Sequence, residues 1–159
     1  RRSLRLARDD TAGSVFEKLC TLGADLLIET LPDYLSGKLT PTPQPGEGVT
    51  YAPMLKKEEG KLDFTHNVTK LERRVRAFNP RPGAYMDFEG ETLKVHRAHI
   101  EQDRASVGQR LVWQNKPAVG AGGGILVLDE VQPAGKKSMS GNSFLAGARH
   151  WVKDEQRLA

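Results

Sequence analysis

The chain has 159 residues, 38% apolar and 28% charged, with a net charge of +4. That balance favours a folded protein over a disordered one, with room for one ordinary domain or a small domain plus an appendage. No apolar run approaches the ~20 residues a membrane-spanning helix needs, and no signal peptide is recognisable. The lone Cys20 cannot form an internal disulfide; together these features lead us to expect a cytoplasmic protein with no membrane partner.

From the N-terminus, "SLRLA" (3–7) alternates apolar and polar residues and predicts a short strand. Asp10 or Thr11 suits a helix N-cap, followed by Val15, Phe16, Leu19 and Cys20 at helical spacing, with Gly23 as the expected end. A second helix is expected through Leu27, Ile28, Leu31, Tyr34 and Leu35 to Gly37, with Pro32 kinking it or delaying its start. One strand and two helices bury too little surface to stand alone, so residues 1–39 read as the end of a larger α/β domain. "LTPTPQPGEG" (39–48), with three prolines and two glycines, opens a linker that we place at residues 40–55.

The charge is unevenly divided. Residues 1–55 hold 6 Lys and Arg against 7 Asp and Glu, whereas residues 56–159 hold 18 against 13. A basic second part beside a near-neutral first part points to an anionic partner. Within 56–159, Val68, Leu71, Val75 and Phe78 form a helical stripe, with Lys70, Arg73 and Arg74 facing away from it and Arg76 to one side. Asn79-Pro80 should stop that helix, because a residue before proline resists helical geometry. "GAYMDF" and "ETLKVHRA" flank Glu89-Gly90 as a hairpin, and "QRLVW", "KPAVGA" and "GILVLDEVQ" continue the strand pattern. The expected fold is therefore mainly β, a small barrel of five short strands behind a leading helix, with a last short helix in "SGNSFLAGAR".

Each suggestive motif has a plainer reading. "QPAGKKSM" (132–139) contains Gly-Lys-Lys-Ser, but a phosphate loop needs a glycine where Glu130 stands and Ser or Thr directly after the first lysine. Lys136 and Lys137 can instead meet a phosphate backbone as point charges, or form a solvated turn. "GAGGG" (120–124) precedes a strand-like segment rather than the helix a dinucleotide loop requires, so it reads as a hairpin turn. His96 and His99, three apart in a strand, should face opposite sides and share no metal. No carboxylate–histidine cluster is apparent, and no metal site is expected.

In order along the chain stand "DDTAG" (9–13), "LPDYLSGKLTPTPQ" (31–44), "GVTYAPMLKKEEGKLDF" (48–64), "RRVRAFNPRPGAY" (73–85), "LKVHRA" (93–98), "VQPAGKKSM" (131–139) and "FLAGAR" (144–149). Together they resemble the C-terminal half of the methionyl-tRNA formyltransferase family. One departure is Arg81, where the family usually has tryptophan. The resemblance implies that 1–39 complete a Rossmann-like catalytic domain and that 56–159 form an oligonucleotide-binding-type barrel presenting basic surface to tRNA. It further implies a monomer whose partners are initiator methionyl-tRNA and an N-terminal catalytic domain not in this segment. The formyl donor would be 10-formyltetrahydrofolate, bound by the complete enzyme and not by this segment.

The family's Asn-x-His pair and its catalytic Asp fall upstream of Arg1 on this resemblance, so no catalytic residue is assigned here. The candidates for tRNA contact are Lys70, Arg73, Arg74, Arg76, Arg81, Lys136 and Lys137. Two other readings stand beside this one: a free-standing RNA-binding module of barrel type, and half of a formyltransferase acting on a nucleotide sugar or folate.

Overall fold

Val68, Leu71, Val75 and Phe78 are all at most 7% exposed in the computed structural model, which describes residues 1–152. They line one face of a helix, Val68–Phe78 (α2), whose N-cap Asn67 accepts a hydrogen bond from the Thr69 amide. Asn79 is extended, and the helix stops there as expected. By contact the chain divides into two units, residues 1–55 and residues from Lys56 onward.

In the second unit six antiparallel strands are described: Ala84–Phe88 (β1), Glu91–Glu101 (β2), Arg110–Trp113 (β3), Lys116–Ala121 (β4), Gly124–Pro133 (β5) and Met139–Ser140 (β6). Pairing runs β1-β2-β5-β4-β3, with β6 added to β5. A short helix, Gly141–Gly147 (α3), follows β6. The fold is thus mainly sheet, with α2 leading.

The apolar face of α2 packs with Leu93 and Val95 of β2 and with Leu126, Leu128 and Val131 of β5. Each of these side chains, fully removed from water, contributes roughly 1.5–3 kcal/mol. β1 and β3 end the strand path and share no ladder, but side chains bridge them. Arg110 of β3 lies 5.2 Å over the Phe88 ring of β1. Trp151 packs on Phe88 at 5.3 Å and donates its indole N–H to the Leu111 carbonyl at 2.8 Å.

Turn chemistry matches the sequence. Glu89 and Gly90 both have positive φ between β1 and β2, as do Gln114 and Asn115 between β3 and β4. Positive φ at both central residues suits the right-handed twist of a two-residue hairpin. "GAGGG" is a hairpin turn between β4 and β5, and Gly122 also exchanges backbone hydrogen bonds with His66 and Val68, docking the start of α2.

Two expectations fail in the first unit. "SLRLA" forms no strand, and the two helices are one, Ala12–Leu35 (α1). An extended segment becomes a strand only with a ladder partner, and the described residues of this unit provide none; Arg2 is held instead by Glu29 at 2.6 Å. Gly23 costs about 1 kcal/mol in a helix but does not break it. Pro32 sits in the last turn, where it removes one hydrogen bond.

A third expectation fails in β2. Val95 and Ala98, three apart, both pack toward the core, because the β2–β5 register shifts on either side of Arg97. Strict alternation is lost, so His96 and His99 do not lie on opposite faces. Both stay out of the core, and they bond to Gln132 and Asp129 of β5, respectively.

Leu71→Ala should destabilise the second unit by about 2–5 kcal/mol, measured by urea unfolding. At the start of α1, hydrogen bonds from Lys18, Ser14 and the Ala7 amide hold the Asp10 carboxyl down to about 2. Its folded value lies below the ordinary ~4, so this lock is complete above about pH 4 and is lost as pH falls to about 2 and below. The Ser14 amide resonance should follow that transition, and Asp10→Asn should abolish it.

Candidate nucleic-acid interface

Three motif segments far apart in sequence are tied by side chains. Asn79, just past α2, donates from Nδ2 to the His96 carbonyl of β2 at 2.7 Å. The His96 ring meets Gln132 of β5, with Nε2 3.0 Å from Oε1. Gln132 donates from Nε2 to the Lys136 carbonyl at 2.8 Å. Since the Gln132 nitrogen is the donor to Lys136, its oxygen is the acceptor, so His96 carries its proton on Nε2. This relay connects the end of α2 to the β5–β6 turn and fixes that turn's backbone beneath its two lysines.

The seven candidate cations divide by what they touch. Arg74 donates from Nη1 to the carbonyls of Glu59 and Lys61, at 3.1 and 3.2 Å, and lies over the Phe78 ring. It braces the 3-10 turn Lys57–Gly60 against α2. Arg76 forks onto Glu72, one helical turn back, with Nε at 2.6 Å and Nη2 at 3.2 Å. Lys70, Arg73, Arg81, Lys136 and Lys137 are exposed. Lys70 and Arg73 lie on the outer side of α2, Arg81 just beyond its end, and Lys136 and Lys137 on the β5–β6 turn.

A second cluster was invisible to sequence reasoning, because it joins β2, β4 and β5. Asp129 accepts from Lys116 Nζ at 2.6 Å and from His99 Nδ1 at 2.7 Å, and His99 Nε2 lies 3.6 Å from Glu101. Register across three strands, not spacing in one, builds this ion-pair cluster; among the described residues no group of three or more His, Cys, Asp or Glu could hold a metal ion. Burial pushes the Asp129 carboxyl up, but the hydrogen bonds from Lys116 and His99 outweigh it and hold the group below the usual carboxylate range. Beside it opens a cleft of about 650 Å³, lined in part by Arg97, Glu130, Ser138 and Asn142.

Residues 54–149 match the family described as formyl transferase, C-terminal domain. A methionyl-tRNA formyltransferase of Myxococcus xanthus is 45% identical over 145 residues, covering 91% of this chain and 46% of that protein. One from Streptococcus gordonii is 39% identical over 149 residues, covering 93% and 48%. The chain belongs to the formyl transferase C-terminal domain family. It spans about half the length of the curated relatives it matches, aligning with their C-terminal part.

Among solved structures, a HypX variant from Aquifex aeolicus superposes with a TM-score of 0.67 at 20% identity, covering 89% of this chain and 27% of that one. HypX in complex with tetrahydrofolic acid superposes at 0.60 and 22% identity, covering 82% and 23%. At these identities the likeness is one of fold. The family match takes in α2, all six described strands and α3, and therefore the whole relay from Asn79 to Lys136.

Gln132→Ala should loosen the β5–β6 turn without unfolding the sheet. The Lys136 and Lys137 amides should exchange faster with solvent, at a stability cost of about 1 kcal/mol. His96→Ala should reproduce the effect.

Proposed function

We propose that this chain is the tRNA-docking part of a methionyl-tRNA formyltransferase. In this reading the complete enzyme moves a formyl group from 10-formyltetrahydrofolate to the methionine amino group of initiator methionyl-tRNA, in the cytoplasm and as a monomer. The observation that carries the reading is the braced turn. Lys136 and Lys137 are exposed on a backbone that the Asn79–His96–Gln132 relay holds in place. Point charges on a fixed turn meet a phosphate backbone without reading bases.

Lys70, Arg73 and Arg81 extend the same role to α2 and its end. Arg74 and Arg76 support it from beneath: one anchors the 3-10 turn, and the other is neutralised by Glu72. The formyl-transfer chemistry, in this reading, belongs to the N-terminal catalytic domain that partners this segment. Attack of a neutral amine on a formyl carbonyl needs a proton acceptor and a group that stabilises an oxyanion. The sequence contains no Asn-x-His from which to build that pair.

The test is tRNA binding by the chain at graded salt. Affinity should fall steeply with salt, and the Lys136→Ala/Lys137→Ala double variant should bind all tRNAs more weakly, with a slope shallower by roughly one per lost contact. An unchanged slope would remove the turn from the docking surface, and no binding at low salt would favour a sugar or folate formyltransferase. Incubated with 10-formyltetrahydrofolate and methionyl-tRNA, the chain alone should formylate nothing; product would refute the proposed division of labour.

A further inference from the structure

Arg97 is the residue around which β2 breaks its alternation. Leu93 and Val95 point to the core, so an unbroken strand would send the side chain at 97 inward as well. The register shifts on both sides of Arg97, and Ala98 takes the inward place. Strand β5 answers with the same irregularity: Leu128 and Val131, three apart, face the core, leaving Asp129 and Glu130 outside it. A bulge re-aims a side chain at the expense of ladder regularity. Here paired irregularities place Arg97 directly across the ladder from Glu130, on the wall of the 650 Å³ cleft.

Those two opposite charges do not pair. Glu130 accepts a hydrogen bond from the Ser138 hydroxyl. Asp129 is engaged by Lys116 and His99. Among the described residues Arg97 has no ion-pair partner, although both carboxylates line the same cleft. An exposed guanidinium beside carboxylates that other groups already hold retains its charge for an outside anion. Ser138 and Met139, also in the lining, directly follow Lys136 and Lys137 in sequence, so the cleft begins where the basic turn ends.

We infer that this cleft is a nucleotide subsite, in which Arg97 holds one phosphodiester of the RNA backbone as that backbone leaves the Lys136–Lys137 turn. The inference rests on the tRNA-docking reading and adds a site to it. The planar fork of arginine matches two phosphate oxygens at once, which a lysine at that position cannot do. The cleft leaves room beside that phosphate for the sugar and base of a single nucleotide. That volume falls within the ~300–1,000 Å³ typical of small-ligand pockets.

The test compares the chain with its Arg97→Ala and Arg97→Lys variants, titrated with an initiator tRNA transcript across a salt series. Arg97→Ala should weaken binding on the order of tenfold and lower the salt slope by about one, as for loss of one charged phosphate contact. Arg97→Lys should restore the slope but only part of the affinity, because it keeps the charge and loses the fork. Thermal midpoints of both should match the parent, since among the described residues the guanidinium has no ion-pair partner to lose. If Arg97→Ala binds like the parent while the Lys136→Ala/Lys137→Ala variant is weakened, the subsite is wrong and tRNA docking stands. If the parent itself binds no tRNA, the docking reading falls, and the subsite falls with it.

Discussion

The antiparallel pairing of β2 with β5 is the constraint on which the rest of the second unit depends. Its inner face supplies Leu93, Val95, Leu126, Leu128 and Val131 to the core that receives α2. Its outer face carries the His96–Gln132 and His99–Asp129 contacts and sets Arg97 opposite Glu130. One ladder thus does two jobs: its inner face builds the main core, and its outer face arranges polar groups beside a smaller apolar cluster of Ile125, Val127 and Ala118. A shift of one residue would exchange the two faces. The irregular register is the local solution, keeping a charged residue out of the core within a strand whose neighbours must face inward.

The basic residues of this chain are not equivalent, and their sequence neighbours do not say which is which. Arg73 and Arg74 are adjacent, yet Arg73 is exposed while Arg74 satisfies two backbone carbonyls of a turn thirteen and fifteen residues away. An arginine that donates to backbone carbonyls contributes to stability through those bonds and through its stacking on Phe78, and its charge is only partly available to a ligand. Arg76 is similarly committed to Glu72. The proposed docking surface therefore draws on fewer cations than the count of lysines and arginines suggests.

Family membership and local geometry bear on different questions. The match of residues 54–149 to the formyl transferase C-terminal domain establishes the family, while about half of the length of the relatives at 39–45% identity lies outside the region compared. The relay from Asn79 to Lys136 gives a physical reason for three separate motif segments to occur together: each supplies one member of a single hydrogen-bonded path. Asn79 needs the His96 carbonyl, the His96 ring needs Gln132, and Gln132 needs a turn that returns the Lys136 carbonyl to it.

Much of this was legible along the chain. The 3,4-spaced stripe of α2, the Asn79-Pro80 stop, the Glu89-Gly90 turn and the glycine-rich hairpin follow from local sterics and burial period, which neighbours in sequence suffice to express. The sequence also excluded a phosphate loop at Gly135-Lys136, since Glu130 stands where glycine is required. What only the tertiary structure decided was long-range or irregular. Residues 3–7 gained no ladder partner among the described residues, and a single helix ran through Gly23 and Pro32. Above all, the register shifts at Arg97 brought His99, Asp129 and Lys116 into one cluster and left Arg97 facing the cleft. Periodicity predicts which residues could share a face, but a bulge resets that count, and only the packing of the partner strand determines where the reset falls.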